Sequence, residues 1–170
     1  MSTGRVEAIF IGHESSRPMI SVDSVQAAPG QGLEGDRYWQ GQSLPSLKQG
    51  PDHEVTLIEA EAIEALIREY GVSFDPSESR RNVLTRGVAL NHLVGREFHV
   101  GPARLRGARL CEPCAHLEKL TRAGVRAGLV HRGGLRAEVL TGGAIRVGDS
   151  VEIEPNPAPA DLSGARGNGE

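Results

Sequence analysis

The sequence lacks long apolar runs and long basic runs, and each absence excludes a class of protein. No apolar segment is long enough to span a bilayer, and residues 1–5 lead into a strand pattern without the apolar stretch of a signal peptide. We therefore expect a cytoplasmic protein with no membrane partner, whose thiols stay reduced. The net charge of −3 and the missing basic run give no indication of a nucleic-acid partner.

Apolar residues are also scarce for a folded chain, at 38% of the sequence. The 22 glycines and 10 prolines account for part of this and indicate many turns between short strands. A length of 170 residues is enough for one domain with its own core. We predict one domain over residues 1–154. The segment 155–170 has few apolar residues to bury and is predicted to be a disordered tail.

Short β-prone runs separated by glycines outnumber the helical patterns. The clearest helix is predicted over residues 57–70, with Thr56 and Glu59 as a capping box and Gly71 as the stop. A shorter helix is predicted over 115–123. Strands are predicted at 5–11, 18–25, 82–85, 97–100, 103–110, 135–140 and 144–153, the last stretch being divided by a turn at 147–149. The pattern predicts a mainly β fold with a few helices, built around a β-barrel.

The only two cysteines, Cys111 and Cys114, form a Cys-x-x-Cys pair after a strand-like run. A thioredoxin-like pair would need a βαβ context, which is weak here, and haem attachment would need histidine where Ala115 stands. With His116 the pair gives only three zinc ligands. Burial of a small apolar side chain is the plain alternative for a cysteine. A thiolate on a soft transition metal, with further ligands from a cofactor, fits the pattern.

Arginines form two further clusters. Arg80, Arg81 and Asn82 stand together, with Thr85, Arg86 and Gly87 within a strand length. An arginine fork is suited to a phosphate, so this cluster could hold a phosphate or the edge of a pterin, and a solvated strand end is the alternative. Residues 131–136 repeat the combination of arginine and glycine. His13, His53, His92 and His99 have no ligand-like spacing and are read as surface or core histidines.

The order of these motifs resembles one family. The motifs stand at residues 35–38, 80–87, 93–101, 111–114, 134–139 and 145–149. Together they are similar to a stand-alone MOSC domain, the C-terminal domain of molybdenum cofactor sulfurases, over about residues 5–154. The resemblance implies a MOSC-type β-barrel related to the barrel domain of pyruvate kinase. It also implies binding of the molybdenum cofactor (molybdopterin), a pterin dithiolene that carries a phosphate.

The resemblance also assigns residues. Cys114 matches the family cysteine that ligates molybdenum in amidoxime-reducing members, whereas Cys111 matches a variable position. Arg80 and Asn82 match an Arg-x-Asn motif that contacts the cofactor, and Thr85 and Gly87 continue that motif. The other cofactor-binding candidates lie in further family motifs: Asp36, Arg37 and Arg136.

Two functions follow as expectations from the resemblance. The first is an oxidoreductase that reduces small N-hydroxylated compounds with Cys114 as molybdenum ligand. The second is a sulfur carrier with a persulfide on Cys114, which Cys111 could resolve as a disulfide. The sequence has no desulfurase domain and no iron–sulfur cysteine set. A separate electron-donor protein or a cysteine desulfurase is therefore the expected partner.

Overall fold

A computed structural model of the protein describes residues 3–39 and 50–156. The predicted tail at 155–170 lies outside this part except for its first two residues, and it stays a prediction. The eleven strands of the described part are β1 Thr3–Ile11, β2 Ile20–Val22, β3 Ser24–Ala28, β4 Gly32–Leu33, β5 Val55–Glu59, β6 Val83–Arg86, β7 Glu97–Val100, β8 Ala103–Leu110, β9 Leu135–Thr141, β10 Gly143–Arg146 and β11 Ser150–Ile153.

Three α-helices accompany the strands: α1 Ala60–Tyr70, α2 Ala115–Leu120 and α3 Val125–Gly128. Single 3₁₀ turns occur at Pro51–His53, Pro76–Ser79 and Leu90–Leu93. In the described part of the chain, no helix has both the length and the apolar character needed to cross a membrane.

Seven strands close into a barrel because β1 pairs on both of its sides. The order around the barrel is β1, β6, β5, β9, β8, β7 and β11, and β11 returns to β1. The β5–β6 ladder is parallel, with α1 as the crossover, and the other ladders between the described strands are antiparallel. β2 extends the sheet beside β1, and β3, β4 and β10 form a small second sheet. The predicted mainly β, MOSC-type barrel is confirmed.

Apolar side chains fill the interior of the barrel. Alternate residues of its strands point inward, as the two-residue period of a strand requires. These buried residues include Val6, Ile9, Leu57, Val83, Phe98, Val100, Leu105, Leu135, Ala137 and Val151. Each large side chain stabilises the fold by about 1.5–3 kcal/mol on burial. With its interior packed, the barrel leaves ligands only its outer face and its loops.

A second apolar layer lies outside the barrel, where α1 covers β5 and β6. Ile63 and Leu66 of α1 pack against a cluster that includes Ile58 and Leu84 of the two strands. Gly71 ends the helix in the left-handed conformation at φ 64°, as predicted.

The predicted start of this helix was wrong. Residues 57–59 belong to β5, and Thr56 is a strand residue whose hydroxyl bonds with Asn82. Because that hydroxyl is already used, no capping box forms, and α1 begins after Glu59 without a side-chain cap. Ile67, one turn before the end of α1, is 41% exposed.

The predicted helix at 115–123 is also shorter than expected. Thr121 leaves the helical region at ψ −101°, so α2 ends at Leu120. Gly124 then adopts φ 95°, and α3 starts as a separate turn.

Gly107 provides a test of how closely the barrel wall is packed. A Cβ atom at this position would collide with the carbonyl oxygen of Leu93, which crosses β8 there. We expect Gly107→Ala to destabilise the protein by roughly 1–3 kcal/mol, since the backbone must shift. Urea unfolding measures this loss. The control is Ala108→Ser at the exposed neighbouring position, which should change stability by less than about 0.5 kcal/mol. Equal midpoints for both variants would contradict the prediction.

Candidate functional site

Several chain segments meet on the outer face of the barrel. Within the sheet, Arg109 of β8 lies opposite Arg136 of β9, and Arg136 lies opposite Thr56 of β5. Asn82 follows beside Thr56, just before β6 begins. This row of neighbours brings together predicted site residues that stand far apart in the sequence.

Asn82 connects three of these segments. Its side-chain oxygen accepts hydrogen bonds from the backbone nitrogen and the hydroxyl of Thr56, at 3.1 and 3.0 Å. Its side-chain nitrogen donates to the carbonyl oxygen of Phe10 at 3.1 Å and to Asp36 at 3.3 Å. An asparagine amide has two donors and one oxygen acceptor, and all are used. The side chain of Asn82 therefore has no unused donor or acceptor for the expected contact with a cofactor. Its hydrogen bonds instead position the neighbouring segments.

Arg81 is a residue that the motif analysis did not assign. Its side chain is buried, and its guanidinium donates to three backbone carbonyls. The acceptors are those of Ser79 at 3.1 Å, Cys111 at 3.0 Å and Gly133 at 2.8 Å. Burial lowers the pKa of this arginine below its ordinary value. The contacts fix the cysteine segment and the loop before β9 against the start of β6.

Asp36 and Arg37 lie in the loop after β4. Asp36 is 1% exposed and accepts a hydrogen bond from the backbone nitrogen of Gly12 at 2.9 Å. The guanidinium of Arg37 lies 4.6 Å from the centre of the Tyr38 ring. Its Nη1 is buried, 3.8 Å from an oxygen of Asp36, yet has no hydrogen-bond partner among the described residues. A side chain at Gly12 would come within 2.6 Å of this atom, so glycine leaves the space that Arg37 occupies.

Arg80 and Arg136 complete the basic group. Arg80 has a left-handed backbone at φ 62° and donates to the carbonyl oxygen of Arg17 at 2.6 Å. Burial, and then the charge of Arg37, lowers the pKa of Arg80. The Nε atom of Arg136 is buried and has no partner in the described part of the chain. A cavity of about 160 Å³ lies beside Arg80, between the loop of Ser16 and the end of α2 at Leu120.

Positive charge therefore dominates this face. We call Arg37, Arg80, Arg81 and Arg136 the arginine cluster, because their charges act on one another. The nearby carboxylate of Asp36 accepts a hydrogen bond from the backbone nitrogen of Gly12. Two of the four guanidinium groups have a buried nitrogen without a hydrogen-bond partner among the described residues. Unpartnered buried donors are costly, and an anion would satisfy them. The arrangement fits a ligand that carries a phosphate or a similar group.

The two cysteines differ in accessibility. Cys111 is 2% exposed, and its backbone nitrogen donates to the carbonyl oxygen of Gly134 at 2.7 Å. Cys114 is exposed and stands directly before α2, and both thiols are free. Residues 3–39 and 50–156 contain no group of three or more His, Cys, Asp or Glu side chains that could hold a metal ion. A metal at Cys114 would need further ligands from a cofactor.

Thr85 and Gly87 do not join this site. Thr85 lies in β6 about 10 Å along the chain from Asn82, and Gly87 lies just past the strand at about 16 Å. Thr85 is fully buried, and its hydroxyl donates to the carbonyl oxygen of Ile58 at 3.4 Å. The backbone nitrogen of Gly87 donates to Glu61 of α1 at 2.8 Å. The structure gives both residues roles in joining β6 to its neighbours.

A chain of polar contacts at the edge of the site was missed by the sequence reading, which took His53 for an isolated histidine. Nδ1 of His53 lies 3.1 Å from Asp52, and the other oxygen of Asp52 accepts a hydrogen bond from Nε of Arg109 at 2.7 Å. The His53 ring packs against Tyr38 with 5.6 Å between ring centres. The adjacent pair Asp52–His53 was the only signal in the sequence, and many such pairs are exposed and without function.

A larger cavity of about 660 Å³ lies elsewhere, between the edges of β7 and β11. Its lining includes His99, Arg96 and Glu154 but none of the predicted site residues. His99 pairs with Glu154 at 2.8 Å, within the ion pairs that cross β7 and β8. Volume alone therefore does not mark the functional face.

Comparisons with known proteins agree with this architecture. The profile of the MOSC domain family matches residues 45–152. The solved structure of the YuaD protein from Bacillus subtilis superposes with a TM-score of 0.75 at 18% identity, covering 89% of this chain and 95% of that chain. YiiM from Geobacillus stearothermophilus gives 0.66 at 16% identity over 89% and 75% of the two chains. YiiM from Escherichia coli gives 0.65 at 19% identity over 91% and 72%. No curated protein sequence matches this chain.

The contact between Asp52 and Arg109 predicts a specific acid response. The hydrogen bond from Arg109 holds the pKa of Asp52 below its ordinary value of 3.8. A lowered folded-state pKa stabilises the fold above the ordinary value, and this stabilisation is lost as the pH falls through the folded-state value. The difference in melting temperature between the protein and Asp52→Asn should therefore be constant near neutral pH and shrink below 3.8.

Thermal unfolding followed by circular dichroism from neutral pH down to about pH 2.5 measures this difference. Asp23→Asn is the control, since the exposed Asp23 carboxylate has no partner within the described ranges. A gap between the protein and Asp52→Asn that widens in acid would contradict the prediction.

Proposed function

The chain belongs to the MOSC domain family, and on that premise we propose that it binds the molybdenum cofactor and reduces N-hydroxylated compounds, with Cys114 as the molybdenum ligand. One observation carries the proposal. An exposed thiol follows a segment that Arg81 of the arginine cluster fixes, and two other arginines of the cluster have a buried nitrogen that makes no hydrogen bond to the described residues. Such a site suits a ligand that is anionic at one end and binds a thiolate at the other.

The residues present fit the cofactor. Its phosphate and the polar edge of its pterin need donors, which Arg37, Arg136 and Arg80 provide. Arg37 and Arg136 each have a guanidinium nitrogen that makes no hydrogen bond within the described part of the chain. Asp36 and Asn82 hold the surrounding backbone and make no contact with the ligand themselves, since their own hydrogen bonds are satisfied within the protein.

Cys114 is the better ligand of the two cysteines. Molybdenum favours soft sulfur donors, and only the exposed thiol can reach a metal at the surface of the site. Cys111 is 2% exposed, and its backbone is held on both sides by Arg81 and Gly134. We therefore assign Cys111 to fixing the segment that presents Cys114. When bound, the cofactor supplies the two-electron chemistry of the reduction.

The proposal includes two partners. A small N-hydroxylated substrate would approach from the exposed side of Cys114. Electrons would come from a separate donor protein, because the chain has two cysteines and no set of four for an iron–sulfur cluster.

A second candidate function is favoured by the same exposed thiol. As a sulfur carrier, the Cys114 thiolate would attack the outer sulfur of a persulfide on a cysteine desulfurase, and the desulfurase cysteine would leave as a thiolate. The transfer needs an accessible thiol, which Cys114 has. The burial of Cys111 would then protect the persulfide from rapid resolution as a disulfide.

Metal and pterin content tests the main proposal. We expect protein from a host that makes the cofactor to contain molybdenum and pterin at close to one equivalent. Cys114→Ala should lose the metal, because the thiolate ligand is gone, and Arg136→Leu should lose pterin as well. Molybdenum is measured by plasma mass spectrometry and pterin by fluorescence.

Two matched variants serve as controls. Arg126→Leu removes an exposed arginine of α3, and Cys111→Ala removes the buried thiol, and both should retain the cofactor. Unfolding midpoints confirm that each variant is folded. A Cys114→Ala protein that keeps its molybdenum and its reductase activity would exclude Cys114 as the ligand.

The sulfur-carrier function has its own test. Cofactor-free protein is incubated with a cysteine desulfurase and cysteine, and the peptide that carries Cys114 is examined by mass spectrometry. This function predicts one added sulfur on Cys114 and none on Cys111, since only Cys114 is exposed. Absence of added sulfur on Cys114, with the desulfurase active on a known acceptor, would exclude it.

A further inference from the structure

We propose that His53 is the proton donor of the reduction and that Asp52 and Arg109 position it, an inference that rests on the proposed function. The three side chains form a continuous series of hydrogen bonds at the edge of the arginine cluster. His53 would place its proton on the oxygen that leaves the N-hydroxylated substrate.

The series orients the imidazole ring. Asp52 lies 3.1 Å from Nδ1 of His53, so that nitrogen faces the carboxylate. Arg109 donates to the second oxygen of Asp52 at 2.7 Å, and its hydrogen bond lowers the pKa of that carboxyl group. The carboxylate therefore stays charged and holds the ring by Nδ1. Nε2 has no partner among the described residues and remains free to meet a substrate.

The position of His53 links it to the site. It ends the 3₁₀ turn Pro51–His53, beside β8 and β9, which carry Arg109 and Arg136. Its ring packs on the ring of Tyr38, and the guanidinium of Arg37 lies over the same Tyr38 ring. The charge of Arg136 acts on Asp52 and also on the buried Arg81, which holds Cys111. His53 is 31% exposed in its side chain, which is enough for a small molecule to reach it.

The other charged groups around the site are poorer donors. Arginines keep their protons at any ordinary pH. Asp36 accepts hydrogen bonds from Gly12 and Asn82, and Asp52 accepts them from Arg109. His116 is near Cys114 in the sequence, but it is exposed and contacts Ser16 at 3.3 Å with no carboxylate to orient it. His131 also faces a carboxylate, that of Glu112, but the distance from its Nδ1 is 3.6 Å and its side chain is 82% exposed. Of these histidines, His53 has the hydrogen-bond contact with a carboxylate, at 3.1 Å from Asp52.

The chemistry requires such a group. Cleavage of the nitrogen–oxygen bond takes up two electrons from the donor protein and two protons. The proton from Nε2 of His53 joins the departing hydroxyl, which leaves as water, and the second proton comes from solvent to the nitrogen. His53 then regains its proton from solvent. Without a donor, hydroxide would have to leave, and general acids of this kind contribute about 10²–10⁴-fold to a rate.

The experiment compares His53→Gln and His53→Ala with His116→Gln in the protein carrying its cofactor. Reduced methyl viologen supplies electrons, and benzamidoxime is the substrate probe. We expect both His53 variants to keep molybdenum and pterin and to lose at least about 100-fold in turnover. His116→Gln should stay within about twofold, because a surface histidine makes no transition-state contact.

Added imidazole separates a proton donor from a structural residue. It should restore turnover in His53→Ala in proportion to its concentration, because it can enter the space left by the side chain. It should have no such effect on His53→Gln or on the protein itself. A loss of turnover that imidazole does not restore would overturn the proposal, as would full activity in His53→Ala or a loss of molybdenum in it.

A second readout does not depend on turnover. Nitrogen-15 labelling of the six histidines allows their ring signals to be followed by NMR, with His53→Gln giving the assignment. Benzamidoxime without reductant should shift the His53 signal and leave the His92 signal in place. If the signal of His116 shifts and that of His53 does not, the substrate binds elsewhere and the proposal fails.

The same measurements distinguish the two levels of inference. A protein that contains no molybdenum and does not reduce benzamidoxime overturns the proposed function and this proposal together. A protein that is loaded and active, with full activity in the His53 variants, overturns only the role of His53.

Discussion

The buried guanidinium of Arg81 is the contact on which the site depends. A charge in a protein interior is costly unless its hydrogen bonds are satisfied, and Arg81 meets this need with backbone carbonyls in place of a carboxylate. The carbonyls belong to Ser79, Cys111 and Gly133. One side chain thereby determines where the cysteine segment and the start of β9 lie. No carboxylate of the described residues forms an ion pair with it, so its positive charge also contributes to the attraction for an anion.

The packed barrel determines the location of the candidate site. Its interior is filled by residues such as Phe98, Leu105 and Leu135, so no ligand can enter it. Functional groups are therefore placed on the outer face and in the loops, where Asn82 joins three segments through its amide. Rigid strands hold these loops, and the loops can vary without disturbing the core.

Local patterns in the sequence identified the mainly β fold, most of the strands and the stop of α1 at Gly71. They failed where long-range contacts override a local signal. Thr56 reads as a helix cap, but its hydroxyl is used by Asn82, far along the chain. Arg81 reads as part of a phosphate-binding cluster or of a solvated strand end, because nothing in its sequence neighbours shows that its acceptors are distant carbonyls. The pairing of His53 with Arg109 through Asp52 likewise exists only once β8 is in place.

The ladder between β1 and β11 has a consequence for biosynthesis. It places Thr3 opposite Glu152, so strands from nearly opposite ends of the described chain must meet before the barrel can close. During synthesis on the ribosome, one edge of β1 stays unpaired until β11 has emerged. Unpaired strand edges are prone to aggregation. Contacts between such distant residues also slow folding. A cofactor or a chaperone that binds during this interval would therefore contact an open sheet and not the closed barrel.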